Sequence, residues 1–92
     1  MNKSEMIARL AEVQEIPSYT AHKIVDIIFG GMAEELIGGG RVEIRGLGVF
    51  EIRQYEGHSG RNPKTSEIIK VAPKKLPFFK VGKELKQRVA AG

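Results

Sequence analysis

The chain has no cysteine and no tryptophan, and its 92 residues include only two histidines, His22 and His58. Without thiols there is no disulfide, zinc ribbon, thiol redox couple or cysteine nucleophile. Two distant imidazoles are also a poor start for a metal cage. Long apolar runs are missing too. The longest charge-free stretch in the oily part of the chain, 27–33, has seven residues, against about 20 for a membrane span. Lys3, Glu5, Arg9, Glu12 and Glu15 break up the first turns, which excludes the apolar region of a signal peptide. The expectation is a cytoplasmic, cofactor-free protein with no membrane partner.

What is present is a mildly basic, well-patterned sequence. Apolar residues make up 41%, enough for a packed core and too much for a disordered chain. The net charge of +4 is unevenly spread: positions 1–40 carry three cations against six acids, positions 41–92 twelve cations against five acids. A split of that size assigns the second half to a polyanionic partner; the alternative is a solvated lysine-rich surface.

The patterning divides a single unit, 1–92, into a helical part at 1–40, a β part at 41–81 and a C-terminal helix at 82–92. Asn2 and Glu5 have the spacing of a capping box, and Met6, Ile7, Leu10 and Val13 follow as one apolar stripe. Pro17 interrupts the pattern and Ser18 is placed to cap a second helix. There Ala21, Ile24, Val25, Ile28, Met32 and Leu36 form a face that Ile27 and Phe29 widen, broader than a single core stripe. Gly38, Gly39 and Gly40 end it. From Arg41 the period becomes two: Val42 and Ile44, then Phe50 and Ile52, alternate with charges around Gly46-Leu47-Gly48, which reads as a hairpin.

From Gln54 to Glu67 there is no Ile, Leu, Val, Phe or Met, and apolar residues return at Ile68, Ile69 and Val71. Such a stretch within a small domain is a functional protrusion or a disordered loop; a two-stranded arm at about 53–75 is the natural form. In the final helix Leu85 and Val89 are placed on the buried side. With the arm subtracted, roughly 70 residues remain to build a core, a size that is marginal alone. Self-association as a two-fold dimer is therefore expected, with Phe29, Phe50 and Phe79 in its core; a monomer using the same residues is the alternative.

Catalytic readings fail. Gly46-Leu47-Gly48 opens like a dinucleotide fingerprint, but Glu51 replaces the third glycine. Gly82-Lys83 resembles the end of a phosphate loop, yet Glu84 and Pro77 stand where a hydroxyl residue and a glycine are needed. No catalytic residue, metal site or small-molecule substrate is expected. A basic arm does better. Arg53, Arg61, Lys64, Lys70, Lys74 and Lys75 lie in or beside it against Glu56 and Glu67, backed by Lys80, Lys83 and Lys86. At about 3.3 Å per residue, positions 53–63 reach roughly 33 Å, enough for a two-stranded ribbon to follow a groove of a duplex. At its end, Pro63 is an apolar wedge beside Arg61, Asn62 and Lys64, able to enter between base pairs; an ordinary turn proline is the alternative.

Gly40-Arg41-Val42-Glu43-Ile44-Arg45-Gly46-Leu47-Gly48-Val49-Phe50, Gly60-Arg61-Asn62-Pro63-Lys64-Thr65 and Pro77-Phe78-Phe79-Lys80-Val81-Gly82-Lys83-Glu84-Leu85-Lys86 resemble the bacterial HU/integration-host-factor family. Minor-groove wedging is a known mode of that family, so the wedge and the resemblance are one observation, not two. The resemblance implies an α+β fold and an intertwined dimer: two N-terminal helices, a three-stranded antiparallel sheet with a long β-ribbon arm, and a short C-terminal helix. It implies a nucleoid-associated, histone-like protein that bends double-stranded DNA. Pro63 is then the intercalating residue, Arg53, Arg61, Asn62 and Lys64 are arm contacts, and the Lys80 to Lys83 segment and last helix contact the flanks. The sequence departs from the family at His58-Ser59, where many members have Arg-Thr, at Glu56, and at Ser66 in place of a glycine. The run from Arg41 to Gly46 is closer to the integration host factor β subunit, which implies sequence preference through Glu43 and Arg45. The rival readings are a site-specific subunit paired with a paralogous chain, and a basic RNA-binding protein.

Overall fold

The computed structural model describes residues 1–61, 64 and 68–92, and of Arg61 and Ile69 the backbone alone. Helix α1 covers Lys3–Gln14 and α2 covers Ser18–Ile37. The Asn2 side chain accepts the Glu5 backbone N–H at 2.9 Å, as the cap spacing predicts. Glu15 closes α1 with φ 52°, a left-handed conformation, its N–H reaching back to Ala11 and Glu12 carbonyls. One expectation needs correction here. Ser18 is the first residue of α2, not its cap; Pro17 takes the cap position with no side-chain hydrogen bond, its carbonyl accepting from Ala21 N–H at 3.0 Å. Proline's fixed φ suits a helix entrance, and α2 starts without a side-chain cap.

The two helices pack through Ile7, Ala21 and Val25, with Met6, Leu10, Ala11 and Ile16 half-buried around them. Val13 is 63% exposed, so the stripe of α1 ends at Leu10, and Ala11 and Ile16 complete it instead. The α2 face is covered only in part. Ile24, Ile27, Ile28 and Phe29 are exposed in the isolated chain.

Strand β1 (Val42–Ile44), β2 (Gly48–Tyr55) and β5 (Lys74–Val81) form an antiparallel sheet in the order β1-β2-β5. Gly46 at φ 85° turns the first hairpin, a conformation that strains any residue with a Cβ. Phe50 and Phe79 face each other across β2 and β5, ring centroids 4.7 Å apart. Strands β3 (His58–Arg61) and β4 (Ile68–Val71) pair antiparallel as a separate two-stranded ribbon. Its register continues that of the sheet: Tyr55 faces Lys74 and, past the break, His58 faces Val71. The interruption falls at Glu56-Gly57 and Ala72-Pro73, because proline has no N–H to give the ladder. The ribbon is thus a continuation of β2 and β5, as the sequence predicts, but jointed. Helix α3 (Lys83–Ala91) ends the chain, with the Gly82 N–H bonded to the Leu47 carbonyl at 3.0 Å. Leu85 is half-buried, but Val89 is 72% exposed. The expected buried side of α3 is therefore only half occupied within one chain.

The molecule measures 64 × 33 × 24 Å with a radius of gyration of 19.8 Å, against about 12 Å for a compact domain of this length. The ribbon projects; it is not folded back on the body.

Candidate nucleic-acid interface

The interface is built by strand periodicity. Opposite residues in an antiparallel pair share a face, and each strand alternates faces. The register therefore puts Glu43, Val49 and Lys80 together, then Glu51 with Phe78, Arg53 with Leu76, and Tyr55 with Lys74. Beyond the joint, Ser59 pairs with Lys70 and Arg61 with Ile68 at the same parity. Of the cations in β2 to β5, only Lys75 has the opposite parity, alongside Gln54, Ile52 and the Phe50–Phe79 pair. Lys75 instead lines an open cleft of ≈ 590 Å³ with Leu36, Ile37, Gly38, Gly39, Ile52 and Gln54, on the α2 side of the sheet.

Among the predicted contacts, Arg53, Lys74 and Lys80 therefore lie on one face of the sheet, Lys70 continues that row along the ribbon, and Lys75 stands apart. Lys64 is exposed. Asn62, Pro63, Thr65, Ser66 and Glu67 lie outside the described residues, and with them the wedge and the Ser66 departure. Lys83 and Lys86 are exposed on α3. Glu43 is exposed and paired with Arg41 at 3.7 Å, and Arg45 is exposed at the end of β1. Phe29 and Phe79 are 42% and 39% exposed, and Phe50 is half-buried.

Two of these cations lie against aromatic rings. The guanidinium of Arg53 lies 3.5 Å from the centroid of Phe78, and its Nε is 3.7 Å from Glu51. The Lys74 ammonium sits 5.6 Å above Tyr55. Residue-type reading singled out Arg53 and Lys74 but missed Phe78, Glu51 and Tyr55. The available signal was cross-strand: once β2 and β5 are aligned through Phe50 and Phe79, Phe78 must stand diagonally from Arg53.

Among the described residues, no group of three or more His, Cys, Asp or Glu side chains is placed to hold a metal, and no helix is long and apolar enough to cross a membrane. Among the described residues, the titrating group with a clear shift is Asp26, on α2 facing Lys3 of α1; its carboxyl is held below the usual range by a hydrogen bond from Lys3.

A jointed, projecting ribbon rooted in a small α+β body, with Arg53, Lys70, Lys74 and Lys80 on one register face, is the architecture of a histone-like DNA-binding protein. A family model described as bacterial DNA-binding protein matches residues 1–90, and the chain belongs to that family, the HU/integration-host-factor family that its motifs resemble. Similar proteins are DNA-binding protein HU of Streptococcus thermophilus, 41% identical over 88 residues that span 96% of this chain and 97% of that one, and DNA-binding protein HU 1 of Bacillus subtilis, 41% identical over 90 residues and 98% of each. Anabaena HU, from a cocrystal structure with DNA, matches with a TM-score of 0.81 at 30% identity over the whole of both chains. These relatives carry HU names, whereas the segment from Arg41 to Gly46 is read above as closer to integration host factor.

Proposed function

We propose that this chain is an HU-type, nucleoid-associated architectural protein: two copies associate, and their arms grip double-stranded DNA and bend it with little sequence preference, compacting the chromosome. The observation that carries this reading is the projecting ribbon and its root, along which Arg53, Arg61, Lys70, Lys74 and Lys80 share one register parity and Lys75 does not. Dimers are typical of the family, and Phe29, Phe50 and Phe79 supply an apolar surface for the second copy. Arg61, Asn62 and Lys64 contact the minor groove and phosphates, Pro63 intercalates, and Lys80, Lys83 and Lys86 serve the flanks. Glu43 and Arg45 add a modest preference among sites.

Affinity for a short mixed-sequence duplex is expected to fall linearly on a log–log salt plot, by about 0.9 for each phosphate neutralised. A slope near zero would sink the electrostatic grip. Pro63→Ala is expected to keep most of the binding and to reduce the bend, read by energy transfer between duplex ends; an unchanged bend refutes the wedge. Competition with structured RNA separates this function from an RNA-binding one, and footprinting on random against selected DNA measures the preference ascribed to Glu43 and Arg45.

A further inference from the structure

Arg53 is held on two sides by residues of its own chain. It projects from β2 on the face it shares with Glu51, Phe78 and Leu76. The carbon of its guanidinium is 3.5 Å from the Phe78 ring centroid, close enough for the planar cation to lie against the ring. Its Nε is 3.7 Å from Glu51 Oε1, an ion pair longer than a hydrogen bond. Among the described residues, its Nη groups make no ion pair. Phe78 keeps 37% of its surface exposed and Leu76 44%, so this face has an apolar floor with an arginine resting on it.

We propose that Phe78 is a positioning residue for Arg53: the ring fixes the guanidinium plane over the sheet and leaves the Nη donors for one backbone phosphate. This rests on the DNA-binding reading above and deepens it. A flat aromatic face suits the task because it attracts the cation without using its in-plane N–H donors, which a carboxylate partner would occupy. Arginine otherwise loses much rotamer freedom when it binds, and a side chain ordered in advance loses less. Glu51 restrains the Nε edge through a contact loose enough to yield to phosphate. Leucine in place of Phe78 fills similar space without orienting a plane, and lysine in place of Arg53 has no plane to orient.

The full-length protein and the variants Phe78→Leu, Phe78→Tyr, Arg53→Lys, Arg53→Ala and Phe78→Leu/Arg53→Ala are titrated with a short mixed-sequence duplex, and the free proteins are compared by NMR. In free protein the Arg53 side-chain protons are expected to be shifted upfield by the ring current of Phe78. That shift persists in Phe78→Tyr and disappears in Phe78→Leu. Duplex affinity is expected to fall about three- to fivefold in Phe78→Leu, the size of an exposed cation–π contact. It is retained in Phe78→Tyr and lowered in Arg53→Lys, and Phe78→Leu brings no further loss on top of Arg53→Ala. An equal loss from Phe78→Leu in both backgrounds overturns the proposal, as does an unshifted Arg53 in the wild type, a reading that needs no variant to fold. If the wild type binds duplex with a steep salt slope while Arg53→Ala binds as tightly, the positioning role falls alone. If the wild type fails to bind duplex at all, the DNA-binding reading falls and takes the positioning role with it.

Discussion

Asp26 joins the two helices at an exposed point: its Oδ1 lies 2.5 Å from the Lys3 ammonium and its Oδ2 3.1 Å from His22 Nδ1. The hydrogen bond from Lys3 lowers its pKa most, the charge of His22 also lowers it, and partial desolvation opposes both. A carboxylate whose folded pKa is depressed contributes stability above its ordinary value of 3.8, and that contribution is lost as pH falls through the lowered one. Asp26→Asn is accordingly expected to flatten the decline of the thermal midpoint on acidification below about pH 4, with little effect at neutral pH because the pair is exposed. A decline as steep as that of the wild type would deny Asp26 this role. Gly48 makes a sharper case. A Cβ there would stand 2.7 Å from Phe79 Cζ and closer still to the Lys80 carbonyl. The glycine is what lets the Phe79 ring lie across the strand to meet Phe50. Gly48→Ala is expected to destabilise the fold by about 1–3 kcal/mol through overpacking, visible as a lower urea midpoint.

At the scale of elements, periodicity made both long helices, the first hairpin and the arm legible, because each has an apolar set with one clear period or, for the arm, none at all. The misreadings have physical causes. Val13 and Val89 continue their helical stripes but are exposed in the single chain, and a stripe read from sequence does not say where its partner ends. Ser18 is a good capping residue, but the helix starts one residue early and puts Pro17 at the cap position. The alignment of β2 with β5, and with it Phe78 over Arg53, was hidden because the two strands are far apart in sequence. The joint in the ribbon has no local sequence signature, because it depends on Gly57 and Pro73 meeting across the strands. A Cβ at Gly57 would come 2.7 Å from the Val71 carbonyl and 2.9 Å from Pro73 Cδ, backbone and ring atoms that cannot swing aside. Gly57→Ala is therefore expected to lower amide protection across β3 and β4 while moving the unfolding midpoint of the body by less than about 0.5 kcal/mol equivalent. It should weaken duplex binding at the same time. A uniform loss of protection throughout the protein would mean that arm and body form one cooperative unit.

The whole molecule is poorly covered. Its accessible surface is 7912 Å², whereas a compact monomer of 10.2 kDa would expose about 5300 Å². The arm supplies part of the excess and the open apolar face supplies the rest: Ile24, Ile27, Ile28 and Phe29 on α2, Phe79 and Val81 on β5, and Val89 on α3 are all exposed in a single chain, while Ile7, Ala21 and Val25 are the apolar side chains buried among the described residues. So small an interior is a poor offset for the conformational entropy of ordering the chain, and the second copy proposed above, laid over that face, would remove the deficit and make folding inseparable from association. The thermal midpoint is expected to rise with protein concentration, since mass action favours the associated state. Phe29→Asp, which puts a charge into the centre of the proposed contact, is expected to leave a largely unfolded monomer by sedimentation. Duplex affinity should fall with it by more than the loss of one contact explains, because two arms joined on one body bind with an effective concentration that separate arms lack. A concentration-independent midpoint together with a monomeric mass in the wild type would refute the dimer and leave the phenylalanines exposed to water in the native protein.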